Sequence, residues 1–289
     1  MKKYEIIKRL TRLGRKIMDY IVFNSIARNM FSSSFFRFLF KRIEEIRVKK
    51  SINDIRKRHL PQHVAIIMDG NRRFAKEMKM DILEGYRRGR DKLEEILDLC
   101  RKTGIKILTV YAFSTENFQR DEKEVNEIME LFFETFNRML NDERIHKHKI
   151  KVNVIGNLYL LPENVRKMAG KVMNATKNYD NCILNIAVAY GGRGEIVEAT
   201  RKIMKKVQIG EIKPEEIGYE TISSHLYTAD LPDPDIVIRT SGEERISNFL
   251  LWQVADSMIF FYDVFWPSFR KIDFLKIIKM YQVKQNGIL

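Results

Sequence analysis

The sequence predicts an α/β protein, an open and mostly parallel six-stranded sheet flanked by helices and preceded by a basic helical N-terminal arm. Three observations carry this expectation. Six short apolar runs, at residues 64–68, 107–113, 150–155, 183–189, 236–239 and 258–261, have the length and composition of buried strands. Segments of helical period fill the gaps between most of them, and strands alternating with helices imply crossover connections and a parallel sheet. Four of the runs end in turns that carry arginine, most with glycine or serine beside it. Ligands of such sheets bind beyond the carboxyl ends of the strands, so those turns would meet on one rim.

The arm comes first. Residues 1–60 hold 17 Lys and Arg against 5 Asp and Glu, a net of +12, which leaves +2 of the chain's +14 for residues 61–289. The chain therefore divides into an arm, 1–60, and a nearly neutral folded domain, 61–289. A nucleic-acid-binding body would carry its basic residues on the folded domain, so the charge balance excludes nucleic acid as a partner. Ile6, Leu10, Leu13, Ile17 and Ile21 fall at helical spacing, with Lys8, Arg9, Arg12, Arg15 and Lys16 mostly off that stripe. A second cluster, SSFFRFLFKRI at 33–43, mixes aromatic and basic residues. No run reaches the roughly 18 apolar residues that span a bilayer, and charges interrupt every apolar stretch, unlike a signal peptide. A basic amphipathic helix of this kind is expected to lie on an anionic membrane surface, at about 1 kcal/mol per cationic residue. The alternative is a helix packed on the domain or on a partner. The expected location is cytoplasmic, peripheral on the cytoplasmic membrane face. Two cysteines, Cys100 and Cys182, without metal spacing fit a reducing compartment. His146 and His148 read as part of a solvated loop rather than as metal ligands.

In the domain, 64–68 delivers Asp69-Gly70-Asn71-Arg72-Arg73. Residues 86–102 put Leu93, Ile96, Leu97 and Cys100 on one helix face, stopped by Thr103-Gly104. The run 107–113 leads to Ser114-Thr115-Glu116-Asn117-Phe118-Gln119-Arg120, followed by a helix over 122–140. Shorter helices cover 163–177 and 194–208. The run 183–189 ends in Tyr190-Gly191-Gly192-Arg193-Gly194, and 236–239 in Arg239-Thr240-Ser241-Gly242-Glu243-Glu244-Arg245-Ile246-Ser247.

Four such turns on one edge point to a polyanion. Guanidinium forks match phosphate oxygens, and glycine lets backbone N–H groups approach them. No G-x-x-x-x-G-K-[ST] occurs, and the glycines at 191–194 do not fit G-x-G-x-x-G, so a nucleotide site of either kind is not supported. A carboxylate, Asp69, among phosphate ligands needs neutralising, and a divalent ion shared with the phosphates does this; Mg²⁺ is the expected ion. Asp69 capping a helix that opens at Asn71, or pairing with Arg73, is the alternative. The helix at 122–140 carries Met129, Phe132, Phe133, Phe136, Met139 and Leu140, more bulk than one core face needs. A cationic rim over an apolar interior suits a diphosphate head with a hydrocarbon tail.

At this point a resemblance can be stated. HVAIIMDGNRRFAK, YAFSTENFQR, LNIAVAYGGR and DIVIRTSGEERISNFLLWQ are similar to the signatures of cis-prenyltransferases, the family of undecaprenyl and dehydrodolichyl diphosphate synthases, in register from about His63 to Trp266. No DDxxD, the mark of trans-prenyltransferases, is present. The resemblance implies stepwise condensation of isopentenyl diphosphate onto an allylic diphosphate, farnesyl or geranylgeranyl, with cis double bonds. It implies that Asp69 holds Mg²⁺ and assists departure of the allylic diphosphate. Gly70, Asn71, Arg72, Arg73 and Arg120 would bind that diphosphate, with Phe74 against its chain. Ser114 and Asn117 would act near the bond-forming centre, Asn117 being linked to proton removal, with a diphosphate oxygen as the alternative acceptor. Arg239, Arg245 and Ser247 would bind isopentenyl diphosphate. Tyr86, Thr115, Glu116, Phe118 and Ile246 complete the implied substrate-binding set.

The departures are specific. Ile82 stands where the family usually has Arg and Tyr86 where it has His, with Arg87, Arg88 or Arg90 as candidate replacements for the lost charge. Met258 stands where bacterial homodimeric members carry a Mg²⁺-binding Glu, and Gln285-Asn286-Gly287 replaces a terminal Arg-x-Gly. These differences imply either a weakly active homodimer or a heterodimer in which this chain is the catalytic subunit and a related, non-catalytic chain supplies the tail.

Overall fold

The computed structural model describes residues 34–285, with side chains from Arg42 onward. The stripe Ile6–Ile21 and the tail residues Asn286-Gly287 lie outside the described residues. The chain divides between Ser51 and Ile52 into two compact units. The second therefore includes residues 52–60, which the charge pattern assigns to the arm. Ile55 is fully buried, and Gln282 donates to the carbonyls of Ile55 at 2.9 Å and His59 at 3.0 Å. Helix α1, Ser34–Ile55, exposes Ile43 and Ile46 in its first part. Among the described residues no helix is long and apolar enough to cross a membrane.

The second unit is built on six strands: β1 His63–Ile67, β2 Ile107–Ser114, β3 Ile150–Ile155, β4 Cys182–Tyr190, β5 Ile236–Thr240 and β6 Met258–Tyr262. Every pairing is parallel, in the order β3-β4-β2-β1-β5-β6. Each strand predicted from an apolar run is present, its ends shifted by at most one residue. β1 and β5 are buried along their whole length, as both faces are covered. Helices α2 Asn71–Glu77 and α3 Ile82–Thr103 join β1 to β2; α4 Glu122–Asn141 and α5 Glu143–Lys147 join β2 to β3. Helix α6 Glu163–Thr176 joins β3 to β4, and α7 Gly192–Gln208 with α8 Tyr219–Ser223 joins β4 to β5; α9 Lys271–Gln285 closes the chain. The chain runs from β1 to one side of the sheet and then returns to β1's other side as β5. That topological switch sets the carboxyl ends of β1, β2 and β5 around a crevice.

Local chemistry explains the boundaries. Asp81 accepts from Leu83 N and caps α3, whose buried face includes Leu93, Ile96, Leu97 and Cys100; Gly104, at φ 96°, ends it in the left-handed conformation. Asp121 caps α4 through Lys123 N and Glu124 N. Both cysteines are buried and free. His146 is not in a solvated loop. It lies in α5 and bonds Tyr179 OH at 3.0 Å and the Leu140 carbonyl at 2.7 Å, so a short helix that packs on its neighbour replaces the expected turn.

A polar row crosses the sheet interior. Asn153 donates to Asn185 (2.9 Å), Asn185 to Thr109 (2.8 Å), and Thr109 lies 2.7 Å from His63 Nε2. His63 Nδ1 lies 2.7 Å from the Pro232 carbonyl, so Nδ1 carries the hydrogen and Nε2 accepts from Thr109. Thr109, Asn185 and Asn153 are register partners, and a one-residue slip would break the row. Burial lowers the His63 pKa to about 4, against smaller opposing effects of the Pro232 carbonyl and Asp235. The ring is neutral when folded and protonates in the unfolded chain below its ordinary value near 6.5. The His63 contribution to stability is therefore level above that pH and falls by about 3 kcal/mol as pH drops to 4. Urea unfolding across this window should show that loss, and His63→Gln should remove it from the wild-type curve.

Candidate active site

β1 delivers Asp69 to the crevice, and two further strand ends converge on it. The turn after β1 requires glycine. Gly70 has φ 106°, and a Cβ there would lie 2.8 Å from Phe265 Cδ1 and 3.0 Å from its Cα. This close passage pins the Asp69 backbone, whose carbonyl accepts from Thr240 Oγ1 at 2.7 Å and Trp266 N at 3.0 Å. Asp69 does not cap α2, whose N-cap is Gly70 without a side-chain bond. It pairs instead with two arginines, Oδ1 with Arg73 at 3.2 Å and Oδ2 with Arg239 at 2.8 Å. Burial pushes its carboxyl upward, and the hydrogen bond and charge of Arg239 with the charge of Arg73 more than offset this, so it sits below the ordinary carboxylate range.

Arg239, on β5, is only 4 % exposed. Besides Asp69 it donates to Ser247 Oγ at 2.6 Å and to the Arg245 carbonyl, which folds the following loop back over the strand end. Arg73 donates to Ser241 Oγ at 2.6 Å and to Glu243 at 3.1 Å, and Glu243 also holds Arg245 at 2.7 Å. A second cluster lies beside the β2 end. Arg120 donates to Tyr86 OH at 2.6 Å, Tyr86 donates to Glu124 at 2.9 Å, and Glu124 lies 3.3 Å from Arg120 and 3.4 Å from Arg72. Tyr86, standing for the expected histidine, thus orients Arg120 against a buried carboxylate. Ser114 N donates to Asn117 Oδ1 at 3.1 Å, so the Asn117 carbonyl oxygen is engaged within its own loop and its amide nitrogen remains a donor.

These groups line a cavity of about 1140 Å³. Its wall carries six cations, Arg72, Arg73, Lys76, Arg120, Arg239 and Arg245, against three carboxylates, Asp69, Glu116 and Glu243. Gly70, Asn71, Tyr86, Ser114, Asn117 and Ser247 line it as well. An apolar side is formed by Met68, Met80, Ile82, Ala112 and Phe113. Behind Phe113, Phe118 and Phe132 make edge contacts at 5.0 and 6.3 Å, and Phe136 stacks on Phe132 at 5.9 Å. The aromatic surplus of α4 therefore extends the cavity's apolar wall as packed core.

Some expected residues lie elsewhere. Phe74 is buried in the core, Phe118 packs behind Phe113, Ile246 packs on the cluster around Tyr111 and Phe249, and Thr115 bonds Glu116; none of the four lines the cavity. Asn71 reaches the cavity, but its amide donates to Met68 O at 3.4 Å and its Oδ1 is buried over Gly89. The Tyr190–Gly194 turn does not reach the cavity. It packs beneath the loop after β5, where close contact with Asn248, Thr115 and Leu251 rather than anion binding occupies Gly191 and Gly192. Arg87, Arg88 and Arg90 do not line it either; Arg88 pairs with Glu84 and Arg90 with Asp91. Ile82 lines the cavity, whereas Met258 opens β6 away from it. Sequence reading missed Glu243, Lys76 and Asn248 as wall residues, and Glu124 behind them. Searching strand ends for cations passed over the acids that organise them.

Fold and site together define a class: a parallel α/β protein whose switch-point crevice holds two arginine groups about one carboxylate and opens on an aromatic wall. Residues 67–288 match the family model described as "Putative undecaprenyl diphosphate synthase". The chain is 52% identical over 248 residues to the tritrans,polycis-undecaprenyl-diphosphate synthase (geranylgeranyl-diphosphate specific) of Thermococcus kodakarensis, covering 86% of this chain and 94% of that protein. It is 50% identical over 234 residues to the Methanocaldococcus jannaschii protein of the same name, covering 80% and 84%. Among solved structures it is similar to lavandulyl diphosphate synthase from Lavandula x intermedia in complex with dimethylallyl diphosphate, with TM-score 0.72 and 34% identity over 77% of this chain and 95% of that one. A probable undecaprenyl diphosphate synthase from Campylobacter jejuni follows, with TM-score 0.63 and 31% identity at the same coverage. The chain belongs to the cis-prenyltransferase family, the enzymes that elongate prenyl diphosphates with cis double bonds.

Proposed function

We propose that this chain extends geranylgeranyl diphosphate with successive isopentenyl diphosphates to a polyprenyl diphosphate of the undecaprenyl class, a precursor of a lipid carrier. The names of the archaeal relatives support the geranylgeranyl starter over farnesyl, a choice the sequence alone leaves open. One observation carries the reading: Asp69 bridges Arg73 and Arg239, so two arginine groups meet at a single carboxylate. Arg72, Arg73 and Arg120 receive the allylic diphosphate, with its tail along Phe113. Arg239, Arg245 and Ser247 receive isopentenyl diphosphate.

The chemistry then needs three events. The allylic C1–O bond breaks, C1 bonds to C4 of isopentenyl diphosphate, and a proton leaves C2 of that unit to form the new double bond. Arginines held in place by Glu124 and Asp69 meet the charge that develops on the leaving diphosphate. Asn117, its oxygen engaged by Ser114 N–H, donates to and orients a diphosphate, and an oxygen of the departing diphosphate takes the proton. The donor set fits Mg²⁺ brought in on a diphosphate with its waters, since Asp69 is one carboxylate and no cluster of three metal-ligating side chains occurs among the described residues. Asp69 would hold that ion, which when bound supplies Lewis-acid neutralisation of diphosphate charge. The same reading has the enzyme work at a membrane surface, because its product is insoluble and its arm is basic, and as a homodimer or with a related subunit, because Met258 and Gln285-Asn286-Gly287 replace the family's Glu and Arg-x-Gly.

Purified chain with Mg²⁺, labelled isopentenyl diphosphate and either primer tests this. Butanol-extractable label is expected, with geranylgeranyl diphosphate the better primer and an undecaprenyl-sized alcohol after dephosphorylation. No label from either primer contradicts it.

A further inference from the structure

The Gly191-Gly192-Arg193 turn binds no part of the cavity, yet its glycines are tightly constrained. A Cβ on Gly191 would lie 2.8 Å from Asn248 Nδ2 and 2.9 Å from Thr115 Oγ1, and one on Gly192 would lie 3.1 Å from the Asn248 carbonyl. Both glycines thus serve a close approach to Asn248, with Thr115 crowding the first and Leu251 Cγ, at 2.9 Å, the second. Asn248 is bonded into that socket by its backbone and its side chain. Its carbonyl accepts from Gly192 N at 2.7 Å, its Oδ1 from Arg193 N at 2.9 Å, and its Nδ2 donates to Glu116 Oε1 at 3.0 Å. The loop it belongs to is held in an unusual backbone, with Ser247 at φ 48°, Asn248 at 63° and Leu250 at 45°. Such a run of left-handed non-glycine residues persists only when surrounding contacts over-determine it. Tyr190 adds to the clamp by accepting from Leu250 N at 3.2 Å while donating to buried Glu195.

The two ends of this clamp belong to different halves of the reaction. Ser247, beside Asn248, holds Arg239 at 2.6 Å. Glu116 sits in the loop that Ser114 N and Asn117 Oδ1 close at 3.1 Å. We propose that Asn248 is a positioning residue that locks the loop holding isopentenyl diphosphate to the Ser114–Asn117 loop at the bond-forming centre, with Gly191 and Gly192 as its socket. The proposal rests on the assignment of diphosphates to the two arginine groups given above. Bond formation depends steeply on the separation of the reacting carbons, and a misplacement of about 1 Å can cost 10²-fold. Asn248 fixes that separation by holding the two loops together.

Amide–carboxylate chemistry makes the test specific. Asn248→Asp keeps the acceptor for Arg193 N and turns the Glu116 contact into a carboxylate pair. It is expected to lower kcat with both substrates saturating by roughly 10–100-fold. Glu116→Gln, which still offers an oxygen to Asn248, supplies the second single-variant kcat of the cycle, whatever its own loss as a cavity-wall residue. The Asn248→Asp, Glu116→Gln double variant restores an N–H···O bond in reverse and should recover most of the loss, a coupling that independent sites do not show. Asn248→Gly keeps the left-handed backbone and the Gly192 bond but lacks the amide, and should fall as Asn248→Asp does. Multiplicative effects in the double variant, or a wild-type kcat for Asn248→Gly, would overturn the positioning role alone. No turnover by the unaltered chain would overturn it together with the functional reading.

Discussion

Asp69→Asn should lower turnover about 10³-fold while the chain stays folded. Asparagine keeps an oxygen for Arg239, so the strand-end geometry survives, and the loss of the charge pair costs on the order of 1–3 kcal/mol. Circular dichroism and the unfolding midpoint should therefore show a folded, modestly destabilised protein. The catalytic loss is larger because the cavity loses its link between the two arginine groups and the carboxylate that fits Mg²⁺. A second readout separates these effects. With one negative charge removed from a wall of six cations and three carboxylates, inorganic pyrophosphate should bind the variant more tightly than wild type in the absence of Mg²⁺. Added Mg²⁺ should strengthen binding to wild type and leave the variant unchanged. Equal Mg²⁺ enhancement in both would mean that Asp69 does not hold the ion.

Arg239→Lys should raise the KM for isopentenyl diphosphate by about 10²-fold, with a smaller effect on the allylic substrate. The guanidinium is buried and uses its fork on three partners at once, Asp69, Ser247 and the Arg245 carbonyl. Lysine keeps the charge but is a single point donor and cannot span Asp69 and the folded-back loop together. Leaving a charged, buried hydrogen-bond partner unsatisfied costs about 1.5–3 kcal/mol per bond. Arg245→Lys gives the control. Its side chain is 64% exposed and bound only to Glu243 among the ion pairs of this wall, so a much smaller rise is expected. Equal effects of the two substitutions on steady-state KM would remove the distinction drawn between a structural and a surface arginine.

Much of this architecture was legible in the sequence because parallel strands buried on both faces read as unbroken apolar runs, and their carboxyl ends carry the ligands. Asp69, Arg72, Arg73, Arg120, Arg239 and Arg245 stand at or just after such ends, and all six line the cavity. The terminal helix α9 was not legible. Phe274, Leu275, Ile277, Ile278 and Tyr281 are buried together with Asp273 and Gln282, so no clean polar stripe marks it. Within the site, Glu124 and Glu243 look like solvated residues of a helix and a loop until the fold sets arginines against them. The Gly191-Gly192 pair invites reading as a phosphate cradle, since glycine serves close approach of any kind; only the fold shows that Asn248, Thr115 and Leu251 are what approach it. Tyr86 reads as a lost charge, and in the folded chain it is a link in the Arg120–Glu124 network instead.

Simultaneous occupancy by two diphosphates tests the central claim most directly. Isopentenyl diphosphate can be titrated calorimetrically into the wild-type chain saturated with Mg²⁺ and the unreactive thiolo analogue of geranylgeranyl diphosphate. Two arginine groups that share Asp69 predict one further isopentenyl diphosphate bound per chain, with Arg239→Lys weakening that step and sparing the analogue. Displacement of the analogue by isopentenyl diphosphate, with no ternary complex, would show a single diphosphate site and contradict the arrangement.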